Sequence, residues 1–324
     1  MLCPGMKIAM ESKKMKLFIS VLLSLFISVN LFAGVVFTFE NTFTVKERTS
    51  GRKKAQKKEF VTKRFPVSPY QKYELSFHAK INGPDTLEEN PVLEYYFYDR
   101  AKFAKGKILP SWTLVFYDKN NKKCPAGVYG NNLYKFFMHK DKIYRDIFYA
   151  PIQAESVEIC FQDNGNRDNK IEIRDLQLKK SNDKYLNING DFHLGEYNLS
   201  GYHSLIMGKI IKLDNGKFAM HLPDMLLPKQ GSSRCILDPI PVKTGKRYRI
   251  RANVKTHGRP SRLFVTFLDK NFKRLNMLRT KVDLGRNKEG ILQAEAGVPE
   301  KVCYIAPMIR FGTIHNIIVE EIKE

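Results

Sequence analysis

Apolar and polar side chains alternate strictly across 248–254, where Tyr248, Ile250, Ala252 and Val254 are interleaved with Arg249, Arg251 and Asn253. A period of two marks a half-buried β-strand, because successive side chains leave a strand on opposite faces. Tyr73, Leu75, Phe77 and Ala79 alternate in the same way with Glu74, Ser76 and His78. Two further apolar runs, 112–117 (WTLVFY) and 263–268 (LFVTFL), each run into Asp-Lys-Asn, residue types that tolerate turn geometry. No convincing long stretch carries the 3.6-residue period of an amphipathic helix. The pattern predicts an all-β chain of short strands.

The strand blocks recur in order. FPVSPYQKYELSFHAK (65–80) aligns without a gap with IPVKTGKRYRIRANVK (240–255), so that Pro66 meets Pro241, Tyr73 meets Tyr248 and Lys80 meets Lys255. WTLVFYDKNNKK (112–123) aligns with LFVTFLDKNFKR (263–274), and AESVEICF (154–161) with PEKVCYIA (299–306); each copy then ends in a closing strand, 170–180 or 314–324. The first copy carries an insertion that includes ENPVLEYYFYDRAKFAKGK (89–107). A repeated β-rich unit of this length predicts two tandem β-sandwich domains, 34–180 and 181–324, with the boundary near KKSNDK (179–184).

The N-terminus reads as an address. Lys13, Lys14 and Lys16 precede the apolar run 17–33, which ends at the small residue Ala33, so 1–33 is expected to be a signal peptide. Met15 offers an alternative start, in which case 1–14 is a start-site artefact. The expected location is secreted, periplasmic or at the cell surface. If retained, the apolar run is about long enough to anchor the chain in a membrane.

Charge narrows the partners. The chain holds 55 Lys+Arg against 33 Asp+Glu, a formal net charge of +22, of which residues 1–33 account for only a small part. Such a field favours polyanions, and export argues for acidic polysaccharide over nucleic acid. Arg247, Arg249 and Arg251 share one face of one strand. Such a row of planar, forked donors suits sulfates or carboxylates; neutralisation by acidic partners on neighbouring strands is the alternative. GRKKAQKKE (51–59) reads as a flexible basic loop between the first strands.

Sugar sites combine aromatic faces with a few placed polar groups. The candidate faces are Trp112 (the only tryptophan), Tyr95 beside Tyr96 and Tyr98, and Tyr129 with Tyr134 in a Gly/Asn-rich loop. Membership of the core is the alternative for each. Cys124, Cys160, Cys235 and Cys303 allow three pairings, Cys124–Cys160 with Cys235–Cys303 being the simplest, or they are buried thiols. The sequence has no HExxH, GxSxG, P-loop or GxGxxG, and its seven histidines lack ligand spacing. The expectation is therefore no enzyme. The minority alternative is a polysaccharide lyase or hydrolase, with a lyase drawing on Arg249, His257 and a tyrosine.

The second unit opens with YLNINGDFHLG (185–195), followed by the Pro-Val-x-x-Gly-x-x-Tyr block at 241–248 and a strand ending in Asp-Lys-Asn. These residues resemble the jelly-roll, galactose-binding-like carbohydrate-binding modules of secreted polysaccharide-degrading systems. The resemblance covers nearly all of 183–324 and extends more weakly over 36–180. It implies two jelly-roll sandwiches that bind polysaccharide without catalysis, with sulfated or uronate-rich polymers favoured by the charge. A structural or protein-interaction module of the cell envelope is the alternative. The resemblance also implies a structural calcium near Asn189 and Asp191, although His193 stands where the family has Glu. No other cofactor is expected.

Overall fold

The computed structural model describes residues 37–39, 44–49, 56–82, 111–126, 133–136, 141–162, 170–182, 185–195, 198, 200–206, 208–224, 226–227, 231–279 and 283–323. The expected signal peptide and the 89–107 insertion lie outside the described residues. The strands of the first half are β1 (Phe37–Phe39), β2 (Thr44–Thr49), β3 (Gln56–Val61), β4 (Phe65–Pro66), β5 (Lys72–Asn82), β6 (Ser111–Tyr117), β7 (Lys123–Cys124), β8 (Leu133–Phe136), β9 (Asp141–Tyr149), β10 (Ser156–Gln162) and β11 (Lys170–Lys180). The second half supplies β12 (Tyr202–Ile206), β13 (Lys209–Lys212), β14 (Phe218–Leu222), β15 (Leu226–Leu227), β16 (Gly231–Ser232), β17 (Arg234–Leu237), β18 (Ile240–Pro241), β19 (Arg247–Lys255), β20 (Arg262–Leu268), β21 (Arg274–Arg279), β22 (Glu289–Gly297), β23 (Tyr304–Arg310) and β24 (Gly312–Ile322).

The all-β expectation agrees with this structure, which has no helix among the described residues. The expectation of two jelly-roll, galactose-binding-like sandwiches is corrected. The strands form four principal sheets set as a ring resembling a four-bladed propeller. A jelly roll divides eight strands into two sheets by two Greek keys. Here the sheets hold four, seven, six and five strands, and β15 and β16 form a separate ribbon. Their orders are β1-β11-β5-β9, β2-β3-β10-β6-β7, β12-β17-β23-β20-β21 and β13-β14-β24-β19-β22, with β4, β8 and β18 as side pairings. Within each half the chain passes back and forth between two sheets. The basic stretch expected as a loop is also corrected: its end, Gln56–Glu59, lies in β3 and pairs antiparallel with β2.

Two apolar clusters hold the sheets together. One gathers Leu75, Phe77, Leu114, Phe116, Phe148, Ile159 and Phe161 from the first half. The other gathers Ile250, Val254, Leu263, Val265, Ile305, Ile309, Ile317 and Val319 from the second. Each fully buried side chain of this size contributes about 1.5–3 kcal/mol relative to exposure. β20 and β23 are buried on both faces, which is why they read as continuous apolar runs. β19 is buried on alternate residues only, as its sequence predicts.

The repeat is visible in hydrogen bonds as well as residues. The Tyr73 hydroxyl accepts from the Ser68 N–H at 2.8 Å, and the Tyr248 hydroxyl from the Lys243 N–H at 3.0 Å. Asp118 accepts from the N–H groups of Asn120 and Lys122, and Asp269 from those of Asn271 and Lys273. Each carboxylate thus closes a turn on its own backbone. Among the described residues the halves meet around Tyr149 and Ser200 and again at Tyr304. The Tyr149 hydroxyl donates to the Leu186 carbonyl at 2.6 Å, and Ser200 Oγ donates to Asp146 at 2.8 Å and accepts from the Ile147 N–H. At the second contact, the Tyr304 hydroxyl accepts from the Ile152 N–H at 2.7 Å while its ring stacks on Phe272, centroids 4.4 Å apart.

Candidate functional site

β19 lies between β22 and β24, and this register decides what the arginine row does. Arg249 is opposite Glu295 on β22 and Glu320 on β24. Its Nη2 lies 3.0 Å from Glu295 and its Nη1 3.7 Å from Glu320. Arg247 reaches Glu295 at 2.8 Å and Arg251 reaches Glu320 at 3.1 Å. Three guanidiniums and two carboxylates therefore alternate across an open face, with the arginine side chains 55%, 35% and 40% exposed. Asn253, Lys255, Gln293 and Glu289 extend the face, and Ile291, 60% exposed, gives it an apolar spot. A row free to receive anions is not what the strand neighbours provide, because each arginine already has a carboxylate.

The other candidates lie elsewhere. Trp112 is inside β6, on the same face as Leu114 and Phe116. It is 5% exposed and meets Phe77 and Tyr144 edge-on, both centroid distances being 5.3 Å. That position corrects its reading as a sugar platform: its ring faces are in the core. Tyr95, Tyr96, Tyr98 and Tyr129 lie outside the described residues, as does the side chain of Tyr134.

Asn189 and Asp191 serve the opening segment of the second unit. Asn189 is buried; its Oδ1 accepts from the Leu194 N–H at 3.2 Å and its Nδ2 donates to the Asn198 carbonyl at 3.3 Å. Asp191 is 2.5 Å from His193 Nδ1; burial raises its pKa, but the hydrogen bond and charge of His193 outweigh that and leave it lowered. Among the described residues no group of three or more His, Cys, Asp or Glu is placed to hold a metal ion. The neighbouring residues have a different task. The Asn187 side chain donates to the Ile317 carbonyl and accepts from the Val319 N–H, both at 2.8 Å, standing in for a strand beside β24. Gly190 continues that edge, its carbonyl accepting from the Ile317 N–H, and a Cβ there would lie 2.1 Å from the Ile317 carbonyl oxygen.

All four described cysteines are thiols, not disulfides. Burial pushes Cys124 up to about 11 and Cys235 up to about 12, which makes both poor nucleophiles. Sequence reasoning missed a second polar cluster. His221 and His257 both hydrogen-bond Thr313 Oγ1, although the three residues are far apart in the chain and share no motif spacing.

No protein-family model matches the chain, and no curated protein matches it. Among solved structures it is similar to the N-terminal CBM22-1–CBM22-2 tandem domain of Paenibacillus barcinonensis Xyn10C, at 8% identity and a TM-score of 0.33, covering 90% of this chain and 95% of that one. It is also similar to allantoicase from Saccharomyces cerevisiae, at 8% identity and a TM-score of 0.25, covering 87% of this chain and 82% of that one. A Bacteroides uniformis β-glucuronidase matches at 7% identity with a TM-score of 0.23, covering 89% of this chain and 32% of that one. These neighbours include carbohydrate-binding and glycosidase proteins, and likeness at this level assigns no activity. Among the described residues no helix is long and apolar enough to cross a membrane.

Proposed function

We propose that this chain is an exported, non-catalytic polysaccharide-binding protein that takes its ligand on the open face of β22, β19 and β24. The observation that carries this reading is the ordered ladder of Arg247, Arg249, Arg251, Glu295 and Glu320. Its planar forks recur at about 6.6 Å along a strand and about 4.8 Å across strands. Guanidinium and carboxylate groups both make paired hydrogen bonds to vicinal hydroxyls, and here the ion pairs hold them in place before a ligand arrives. Ile291 supplies an apolar surface for a sugar's C–H face. The ladder itself is nearly balanced in charge, so hydroxyl recognition would dominate at the site. The overall charge of +22 adds salt-sensitive attraction to sulfated or uronate polymers.

A protein-interaction role in the envelope is the second reading, favoured by one observation. β22 is a nine-residue edge strand paired only with β19 among the described residues, and edge strands of this kind invite added strands. A glycan array probed with the purified protein at low and moderate salt separates the two. Arg249→Ala is expected to weaken glycan binding at least tenfold while leaving the melting temperature nearly unchanged. No glycan binding, or equal binding by wild type and Arg249→Ala, would overturn the proposal and move attention to the β22 edge.

A further inference from the structure

The cluster on Thr313 lies at the other end of the same sheet. β14 is attached to β24 by three residue pairs, Met220–Ile314, His221–Thr313 and Leu222–Gly312, and β13 hangs outside β14. His221 belongs to the middle pair. Its Nδ1 is 3.1 Å from Thr313 Oγ1, and His257 Nε2, from the segment after β19, is 3.0 Å from the same oxygen. The two rings stand 5.7 Å apart. Thr313 is buried and cannot move aside, because Gly312 before it adopts φ +100° and packs against Val254 and the Lys255 carbonyl, where even a Cβ would come within 2.9 Å.

A hydroxyl has one hydrogen to give. With Thr313 between two imidazoles, it donates to one ring and accepts from the other, an arrangement complete with at most one proton on the pair. A second proton turns both ring nitrogens into donors towards one oxygen and strands the hydroxyl hydrogen. It also places two imidazolium charges side by side.

The surroundings favour refusal of that proton. Lys209 faces His221 from β13, Lys255 faces Thr313 from β19, and Arg259 sits in the segment that carries His257, donating to the Asp224 carbonyl. His315 occupies the bulge of β24, and Glu289 on β22 is opposite Lys255. The charge of Asp224 acts in the opposite direction, and it only partly offsets what burial, His257 and Lys209 do to His221, whose pKa is lowered.

We propose that His221, Thr313 and His257 form a proton-sensitive clasp that holds the β13–β14 hairpin on its sheet at neutral pH and releases it in acid. The unfolded or opened chain takes up protons near the ordinary histidine value of about 6.5. The closed clasp resists the second proton to a lower pH. The clasp's contribution to the hairpin is therefore full above the ordinary histidine value and fades as pH falls through it towards the lower folded one.

The test is a histidine titration of the full chain by NMR, paired with melting curves at pH 7.5 and 5.5. In wild type one of the two imidazoles should protonate clearly below the other histidines, and the melting temperature should fall between the two pH values. His257→Gln keeps a hydrogen-bonding group on Thr313 without a charge. It should raise the His221 midpoint by about 0.5 pH unit, from removal of one like charge at this separation in water, and reduce the acid-induced drop in melting temperature. Ordinary titration of both rings in wild type overturns the clasp without recourse to any variant. So does a His221 midpoint, or an acid-induced drop, that His257→Gln leaves unchanged.

Discussion

Equivalent strands of the two halves carry the same ion trio with its signs exchanged. In the first half Glu74, on β5, sits between Arg145 on β9 at 3.0 Å and Lys179 on β11 at 3.3 Å. In the second half Arg249, on β19, sits between Glu295 and Glu320. Glu74 and Arg249 occupy the same place in the aligned blocks 65–80 and 240–255. The surroundings differ more than the charges do. The Glu74 side chain is 11% exposed, and the neighbouring strand β9 is met by Asn198 and Ser200 of the second half. The Arg249 trio is open, and β22, in the place of β9, has no such covering among the described residues. One scaffold thus carries a closed trio that serves cohesion and an open trio that faces solvent.

This contrast can be broken at graded cost. The largest effect is expected from Trp112→Ala, which empties a core site and should cost about 3–5 kcal/mol in denaturant unfolding. Its effect on glycan binding should be no more than that of the lost fold; selective loss of binding in a folded variant would return Trp112 to the site.

Glu74→Ala should cost about 2 kcal/mol, since it leaves two cations without their carboxylate. Arg249→Ala, in the open trio, should cost at most about 1 kcal/mol. Equal costs in urea melts would erase the distinction between closed and open. pH sharpens it further. Burial raises the Glu74 pKa, but hydrogen bonds and charge from Arg145 and Lys179 outweigh it and hold the carboxyl below its usual range. Its contribution is therefore present above the ordinary carboxylate pKa and fades as pH falls through that value towards the folded one. The acid limb of wild type should flatten in the Glu74→Ala protein.

The smallest effect tests what the halves share. Tyr73→Phe and Tyr248→Phe each remove one hydroxyl that accepts a backbone N–H five residues earlier, and each should cost about 1 kcal/mol. Unequal losses would show that the two turns are not energetically equivalent.

Much of this was legible as pattern. The alternation in 248–254 identified β19 and its exposed arginines, and the aligned blocks identified strands with matching turns. Trp112 could have been placed by carrying the alternation two residues back from Leu114, which puts it on the Leu114–Phe116 face. Register was beyond reach: nothing in GILQAEAG says that Glu295 rather than Gln293 meets Arg249. Sheet arrangement was beyond reach for the same reason, since alternation gives a strand two faces and no neighbours. β3 was misread because Lys57, Lys58 and Glu59 hid the Phe60-Val61 end of a paired strand. The His221–Thr313–His257 cluster is assembled wholly by tertiary structure.

The contact at Tyr304 breaks the symmetry of the repeat. The first half presents Ile152 to the aromatic pair Tyr304 and Phe272 of the second. By register, Ser156 takes the place of Tyr304 in the first half, since Pro66 and Pro241 pair with these two residues, and Asn121 takes that of Phe272 in the matching turn. The first half therefore has a serine and an asparagine where the second has its ring pair. Conversely, the turn of the second half in the place of Ile152 is the exposed Pro299-Glu300-Lys301, which offers no apolar tip. The contact is thus one-directional: the socket belongs to the second half and the tip to the first, so the two copies are not interchangeable at this seam.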